Sequence, residues 1–147
     1  MSKLSVGVVG LGLGRMFIGA CAKADRVGRL VVCDSDSQRF EDVRAKFSCV
    51  AAAYAGLDAM LEAERLDAVC LVTPDHLHRP QAERCLRAGC HVLVTKPLAT
   101  NLDDGRAMVL AAECASKTLM VAQEMRFRTR TRAMRSLLES GELGEVI

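Results

Sequence analysis

The sequence predicts an α/β protein with a doubly wound, mostly parallel sheet and helices on both faces, and three observations carry that prediction. Short apolar runs without polar alternation (VGVV, LVVC, AVCLV, HVLV, LMVA) recur along the chain, as strands covered on both sides do. Between them lie segments whose apolar residues keep helical spacing, so strand and helix alternate six times. The first run feeds directly into Gly10-Leu11-Gly12-Leu13-Gly14-Arg15, a glycine turn that opens a helix, and the second run ends on Asp34.

Residues 4–9 make the first strand. Arg15–Ala24 is a helix whose Ile18, Gly19, Ala20 and Cys21 are small or apolar enough to lie close on a sheet. Leu30–Cys33 is the second strand, and Asp34-Ser35-Asp36-Ser37 offers N-caps for a helix over Gln38–Phe47, with Phe40, Val43 and Phe47 at helical spacing. A short strand over Val50–Ala53 precedes a helix with Leu57, Met60 and Leu61 on one stripe. Ala68–Val72 is the fourth strand and runs into Thr73-Pro74-Asp75-His76-Leu77-His78. A helix from Pro80 to Ala88 follows, closed by Gly89. His91–Val94, the fifth strand, leads into Thr95-Lys96-Pro97. Thr100-x-x-Asp103 has the form of a capping box for a helix carrying Ala107, Leu110, Ala111 and Cys114 on one face. Leu119–Ala122 is the sixth strand. After Gln123–Thr131 comes a last helix with Met134, Leu137 and Leu138 inward and Gly141 as its C′ residue, and Gly141–Ile147 reads as the start of another strand.

Composition narrows the function classes. The 147 residues are half hydrophobic, with a mean hydropathy of +0.16, which fits one globular domain. Twenty basic against 18 acidic residues leave a net charge of +2, too little to imply nucleic acid or an acidic membrane as partner. No leader pattern and no apolar run of membrane-spanning length is present, so cytoplasm is the expected location. The seven cysteines are odd in number and contain no C-x-x-C pair, and Cys33 and Cys70 fall in predicted strands as small buried hydrophobes. His76, His78, Cys85 and Cys90 match no zinc template, so no metal is expected. Arg126, Arg128, Arg130, Arg132 and Arg135 form the one basic cluster. With only Phe127 among them it lacks the aromatic platforms of a single-strand binder, and reads as solvated or as a contact to a partner.

The glycine turn carries the chemistry. Gly10 permits the turn, Gly12 lets backbone approach a pyrophosphate, and the free N–H groups at the helix start attract the anion. Asp34, 22 residues after Gly12, is placed to accept hydrogen bonds from an adenosine ribose diol. A carboxylate there repels a 2′-phosphate, so NAD is favoured over NADP. Arg39 either swings back toward a phosphate or, the favoured reading, faces solvent from its helix, and Arg15, at the third glycine position, pairs with the pyrophosphate or lies on the surface.

Four stretches, VGVVGLGLGR, LVTPDHLH, AGCHVLVTKPLA and RF followed by LLESGELGEV, resemble the N-terminal half of the glucose–fructose oxidoreductase/inositol dehydrogenase (Gfo/Idh/MocA) family. The likeness implies a Rossmann core over residues 1–122, then a terminal helix and the start of a connection over residues 123–147 to an absent substrate domain. In that family the second domain shapes a sugar or polyol pocket, supplies a second catalytic group and makes much of the oligomer interface.

Lys96 matches the lysine of the family's Glu-Lys-Pro motif, which implies a catalytic role in proton transfer at the substrate hydroxyl. Thr95 stands where the family has Glu. Thr73 and Pro74 match the loop beside the cofactor, and His78 matches the family's histidine, with a packing role as the alternative. Gln123 follows the sixth strand, placed to hydrogen-bond the nicotinamide or its ribose. The expected cofactor contacts are thus Gly10, Gly12, Leu13, Gly14, Arg15, Met16, Asp34, Ser35, Thr73, Pro74, His78, Lys96, Pro97 and Gln123. The resemblance implies an NAD(P)-dependent oxidoreductase domain working on a sugar- or polyol-like substrate, incomplete as an isolated chain. The alternatives are a non-catalytic dinucleotide sensor or subunit, homo-oligomeric or with a partner, and a truncated gene product.

Overall fold

The computed structural model describes residues 2–145. Strands β1 (Leu4–Val9), β2 (Val27–Cys33), β3 (Val50–Tyr54), β4 (Ala68–Leu71), β5 (His91–Thr95) and β6 (Leu119–Ala122) form one sheet. Its order is β3-β2-β1-β4-β5-β6, and every neighbouring pair is parallel. Helices α1 (Arg15–Lys23), α2 (Gln38–Lys46), α3 (Leu57–Ala63), α4 (His78–Arg87) and α5 (Leu102–Ala115) connect the strands, and α6 (Thr129–Glu139) follows the sheet. The chain winds outward from β1 to β3, crosses back, and winds outward again from β4 to β6. Its loops therefore diverge above the carboxyl ends of β1 and β4 and leave a crevice there.

Side chains alternate across the sheet with a period of two, and both faces are apolar. Val9, Val31, Cys33, Val69, Leu71, Val92 and Val94 point to one side, where α3, α4 and α5 cover them with Met60, Cys85, Leu86 and Met108. Val6, Val8, Leu30, Val32 and Cys70 point to the other, beneath Ile18 of α1 and Val43 of α2. At the edge, Arg29 of β2 grips Glu64 through two hydrogen bonds of 2.8 and 2.6 Å, and the Tyr54 hydroxyl donates to the same carboxylate. Among the described residues no helix is long and apolar enough to cross a membrane.

Several boundaries differ from expectation for local reasons. Strand β2 begins at Val27, since Leu4 and Val27 already pair at the foot of the sheet. A 3-10 turn over Asp75–Leu77 leads straight into α4 at His78. Pro80 then sits in the first turn, where a missing N–H costs nothing. The cap of α5 is Asn101, not Thr100. Its side chain accepts from the Asp104 amide at 2.8 Å and donates to the Asp104 carboxylate at 2.7 Å.

The last helix is the main correction. Met134, Leu137 and Leu138 were expected inward, yet no residue of α6 is buried, and the helix packs chiefly on the 3-10 turn Glu124–Phe127 before it. Its apolar stripe is real, but the described residues place nothing over it. Gly141 does take the positive φ of a C′ residue, at 77°. Residues 141–143 form a turn, and of the strand expected from Gly141 onward, Val146 and Ile147 lie outside the described residues.

Candidate functional site

The crevice is organised by the turn between β1 and α1. Gly10 has φ +88°, and a Cβ there would run into the Val72 carbonyl at the end of β4. Gly14 begins the helix, and a Cβ on it would run into the Gly10 carbonyl oxygen. Two glycines thus fold the loop against itself, and Gly14 does the close packing that the fingerprint assigns one residue later. No side chain caps α1 at Gly14. The Met16 amide donates to the Leu13 carbonyl at 3.1 Å, and the first turn otherwise receives no side-chain cap, which leaves its N-terminal end open to an anion. A Cβ on Gly12 would meet only the Arg39 guanidinium, at 3.4 Å, so the loop presents bare backbone there.

Asp34 closes β2 and is buried. Its Oδ2 accepts from the Leu11 amide at 2.6 Å and from Arg39 Nη1 at 3.3 Å, and its Oδ1 accepts from the Asp36 amide at 2.9 Å. One carboxylate therefore ties the glycine turn to the β2–α2 turn and, among the described residues, keeps one acceptor lone pair unused. Arg39, 42% exposed, takes the alternative of swinging back over the site in place of the favoured solvent-facing one. Its Nε pairs with Asp36 at 3.2 Å, so the guanidinium is drawn across the mouth of the site by two carboxylates. Burial, and then the charge of Asp34, push the neighbouring Cys33 thiol up to about 11, so it stays protonated.

Two cavities flank this loop and meet at Val72 and Thr73. The first, about 630 Å³, is lined by Gly10, Gly12, Asp34, Ser35, Arg39 and Pro74 among others. The second, about 440 Å³, is lined by Leu13, Met16, Thr95, Lys96, Glu124 and Arg128 among others. Lys96 is exposed, and among the described residues no carboxylate lies within ion-pair distance of it. Thr95, beside it, donates back to the Leu71 carbonyl at 3.4 Å.

Of the two readings open for His78, a cofactor contact and a packing role, the structure has the packing role. The ring is fully buried, with Nε2 3.0 Å from the Thr73 carbonyl and Nδ1 3.0 Å from that of Pro97. It braces the ends of β4 and β5 from behind. Pro97 follows Lys96 through a cis peptide and serves as that anchor, lining neither cavity. Arg15 is also drawn away: it donates to the Leu11 carbonyl and pairs with Asp42 of α2 at 3.3 Å. Gln123 is exposed and caps a 3-10 turn, and the residues that reach the second cavity from that segment are Glu124 and Arg128. The remaining expected residues line one cavity or edge the glycine loop. Sequence reasoning missed Asp36, Glu124 and Arg128, and Asp75, which also lines the second cavity. For Asp36 a signal existed, since Asp36 and Arg39 stand i, i+3 at a helix start.

A cradle of bare backbone at a helix start, a buried acid and a lysine across the sheet's switch point fit a dinucleotide. The model of the oxidoreductase family with an NAD-binding Rossmann fold, GFO_IDH_MocA, matches residues 4–123. The chain belongs to the Gfo/Idh/MocA oxidoreductase family. Within it, the D-apiose dehydrogenase of Paraburkholderia graminis is 33% identical over 138 residues, covering 93% of this chain and 36% of that protein. Inositol 2-dehydrogenase 1 of Mycolicibacterium vanbaalenii is 33% identical over 147 residues, covering 98% and 43%. An oxidoreductase from Agrobacterium radiobacter, solved with NAD+, L-tartaric acid and magnesium, superposes with a TM-score of 0.89 at 28% identity, covering 98% and 42%. This Gfo/Idh/MocA chain thus spans about two fifths of the length of these relatives.

Proposed function

We propose that the chain is the cofactor-binding part of a sugar or polyol dehydrogenase, and that it holds NAD across its two cavities. The observation that carries this reading is their junction at Thr73, on either side of an anion-ready glycine turn. The backbone at Gly12 and the first turn of α1 would hold the pyrophosphate. Asp34 would accept from ribose hydroxyls with its free lone pair, and Ser35 lies beside it. Thr73, Leu13 and Met16 would bracket the other end of the cofactor, near Lys96.

When bound, the nicotinamide supplies a hydride acceptor for a carbinol carbon. The Lys96 ammonium would hydrogen-bond the substrate hydroxyl and stabilise the alkoxide that develops as its proton leaves. A second, non-catalytic reading, a dinucleotide-binding subunit, draws support from the missing carboxylate at Lys96 and from Thr95 beside it.

NAD is preferred because Asp34 repels a 2′-phosphate, while Arg39, 3.3 Å from Asp34, gives NADP a weaker foothold. Titration of the chain with NADH and NADPH by nicotinamide fluorescence tests this. Saturable NADH binding, weakened about tenfold or more by Asp34→Ala, is expected, with NADPH the weaker ligand and further weakened by Arg39→Ala. Tighter NADPH binding would overturn the preference, and no binding of either nucleotide to the folded chain would overturn the reading.

A further inference from the structure

Helix α5 buries Met108 and Ala112 on the sheet and turns a second apolar face outward, where Leu102, Val109 and Leu110 are 66%, 46% and 59% exposed. With Leu98 and Ala99 of the preceding loop and with Gly105, they line an open groove of about 490 Å³. A contiguous apolar surface of this kind marks a contact site. The groove shares no residue with either cavity of the crevice. Gly105 lies inside a 14-residue helix, where glycine costs stability against alanine. Yet a Cβ there would meet nothing beyond its own helix backbone nearer than Leu98 Cδ2, at 3.8 Å. The chain's own packing does not require this glycine, and the missing side chain leaves a notch open to a neighbouring molecule. Arg106 and Glu113 flank the stripe, seven residues or about two turns apart on the same face. Both are exposed, and neither forms an ion pair among the described residues. Val109 and Leu110 lie midway between them. Turned antiparallel about a twofold axis at that midpoint, the face meets its own copy with Arg106 opposite Glu113 at both ends and the apolar pair against its image.

We propose that this face of α5 is an interface with a second copy of the chain, in which two α5 helices pack antiparallel across a twofold axis and reciprocal Arg106–Glu113 pairs close the two ends of the apolar stripe. An isologous contact needs a surface that is its own complement, and the order of the two charges about Val109 and Leu110 provides one. The paired charges fix orientation and register more than they add affinity, since a parallel arrangement in register would set Arg106 on Arg106 and Glu113 on Glu113. The apolar groove and the notch at Gly105 supply the buried area. A contact centred on one helix is small, which makes the dimer a weak one. It leaves the crevice open and rests on nothing that the crevice binds.

Sedimentation velocity of the full chain from about 1 to about 200 μM, at low salt, reads the association. A concentration-dependent dimer is expected, weakened about tenfold or more by Leu110→Asp and by either Arg106→Glu or Glu113→Arg, each of which sets like charges together at both ends. The double reversal Arg106→Glu/Glu113→Arg should restore the wild-type affinity to within about threefold. An equimolar mixture of the two single reversals should associate as a heterodimer, because each then supplies the charge that the other has lost. That rescue also separates loss of contact from loss of fold. A chain that stays monomeric over the whole range overturns the proposal, as does a dimer indifferent to the charge reversals or a mixture that fails to associate. A dimer kept in Leu110→Asp but lost in Leu137→Asp overturns it as well, by placing the contact on α6.

Discussion

The two sides of the crevice are finished to different degrees. On the β1–β2 side, Asp34 is buried and accepts three hydrogen bonds, and Arg39 is fixed by two carboxylates. In the second cavity, Lys96 is exposed and unpaired among the described residues, while Leu13 and Met16 across from it are 72% and 63% exposed. The difference teaches where preorganisation comes from. A site whose polar groups already hold one another needs little reordering when a ligand arrives, and a site of free side chains must order them at that moment. The chain's own residues complete the first kind at Asp34 and leave the second kind at Lys96.

The largest effect should come from the loop that both sides share. Gly14→Ala drives a methyl into the Gly10 carbonyl and forces the turn open. Thermal unfolding should show a loss of about 3 kcal/mol, and NADH binding should disappear. An unchanged melting temperature would mean that the loop adapts and that the finished side is less rigid than its contacts suggest. Asp34→Ala should come next. It strands the Leu11 amide without an acceptor, at a cost of about 2 kcal/mol in chemical denaturation. Lys96→Met should do least, shifting stability by less than about 0.5 kcal/mol and NADH affinity by less than about twofold. A larger stability loss there would show that the open side is held by contacts of Lys96, and the contrast would fail.

The sheet and the glycine turn were legible because their causes are local. Unalternating Val, Leu and Cys runs require cover on both faces, and Gly10 can adopt a positive φ that other residues resist. Asp34 was legible as a site residue by its distance from Gly12, yet its bond to the Leu11 amide was not, since it joins residues 23 apart in sequence. Arg39 was misplaced because a helical position says nothing of the carboxylates that pull a side chain off its helix. For His78 the motif fixed the residue but not its direction, so a cofactor contact and a packing role both stood until its ring was found turned inward to two carbonyls. Glu124 and Arg128 reach the second cavity through a 3-10 turn, whose three-residue period the strand and helix patterns do not register. The inward face assigned to α6 failed for a different reason: amphipathicity shows that a stripe can be covered, and burial requires something to cover it.

That uncovered stripe has a kinetic consequence. Helix α6 has 11 residues and none buried, and an isolated helix shorter than about 12–15 residues is marginal in water. Its amide protons should exchange with deuterated solvent almost as fast as those of an unfolded peptide, while those of β1 wait for the whole sheet to open. Anything that settles on Met134, Leu137 and Leu138 would slow that exchange first in α6, which makes the helix the most sensitive reporter of contact in the molecule.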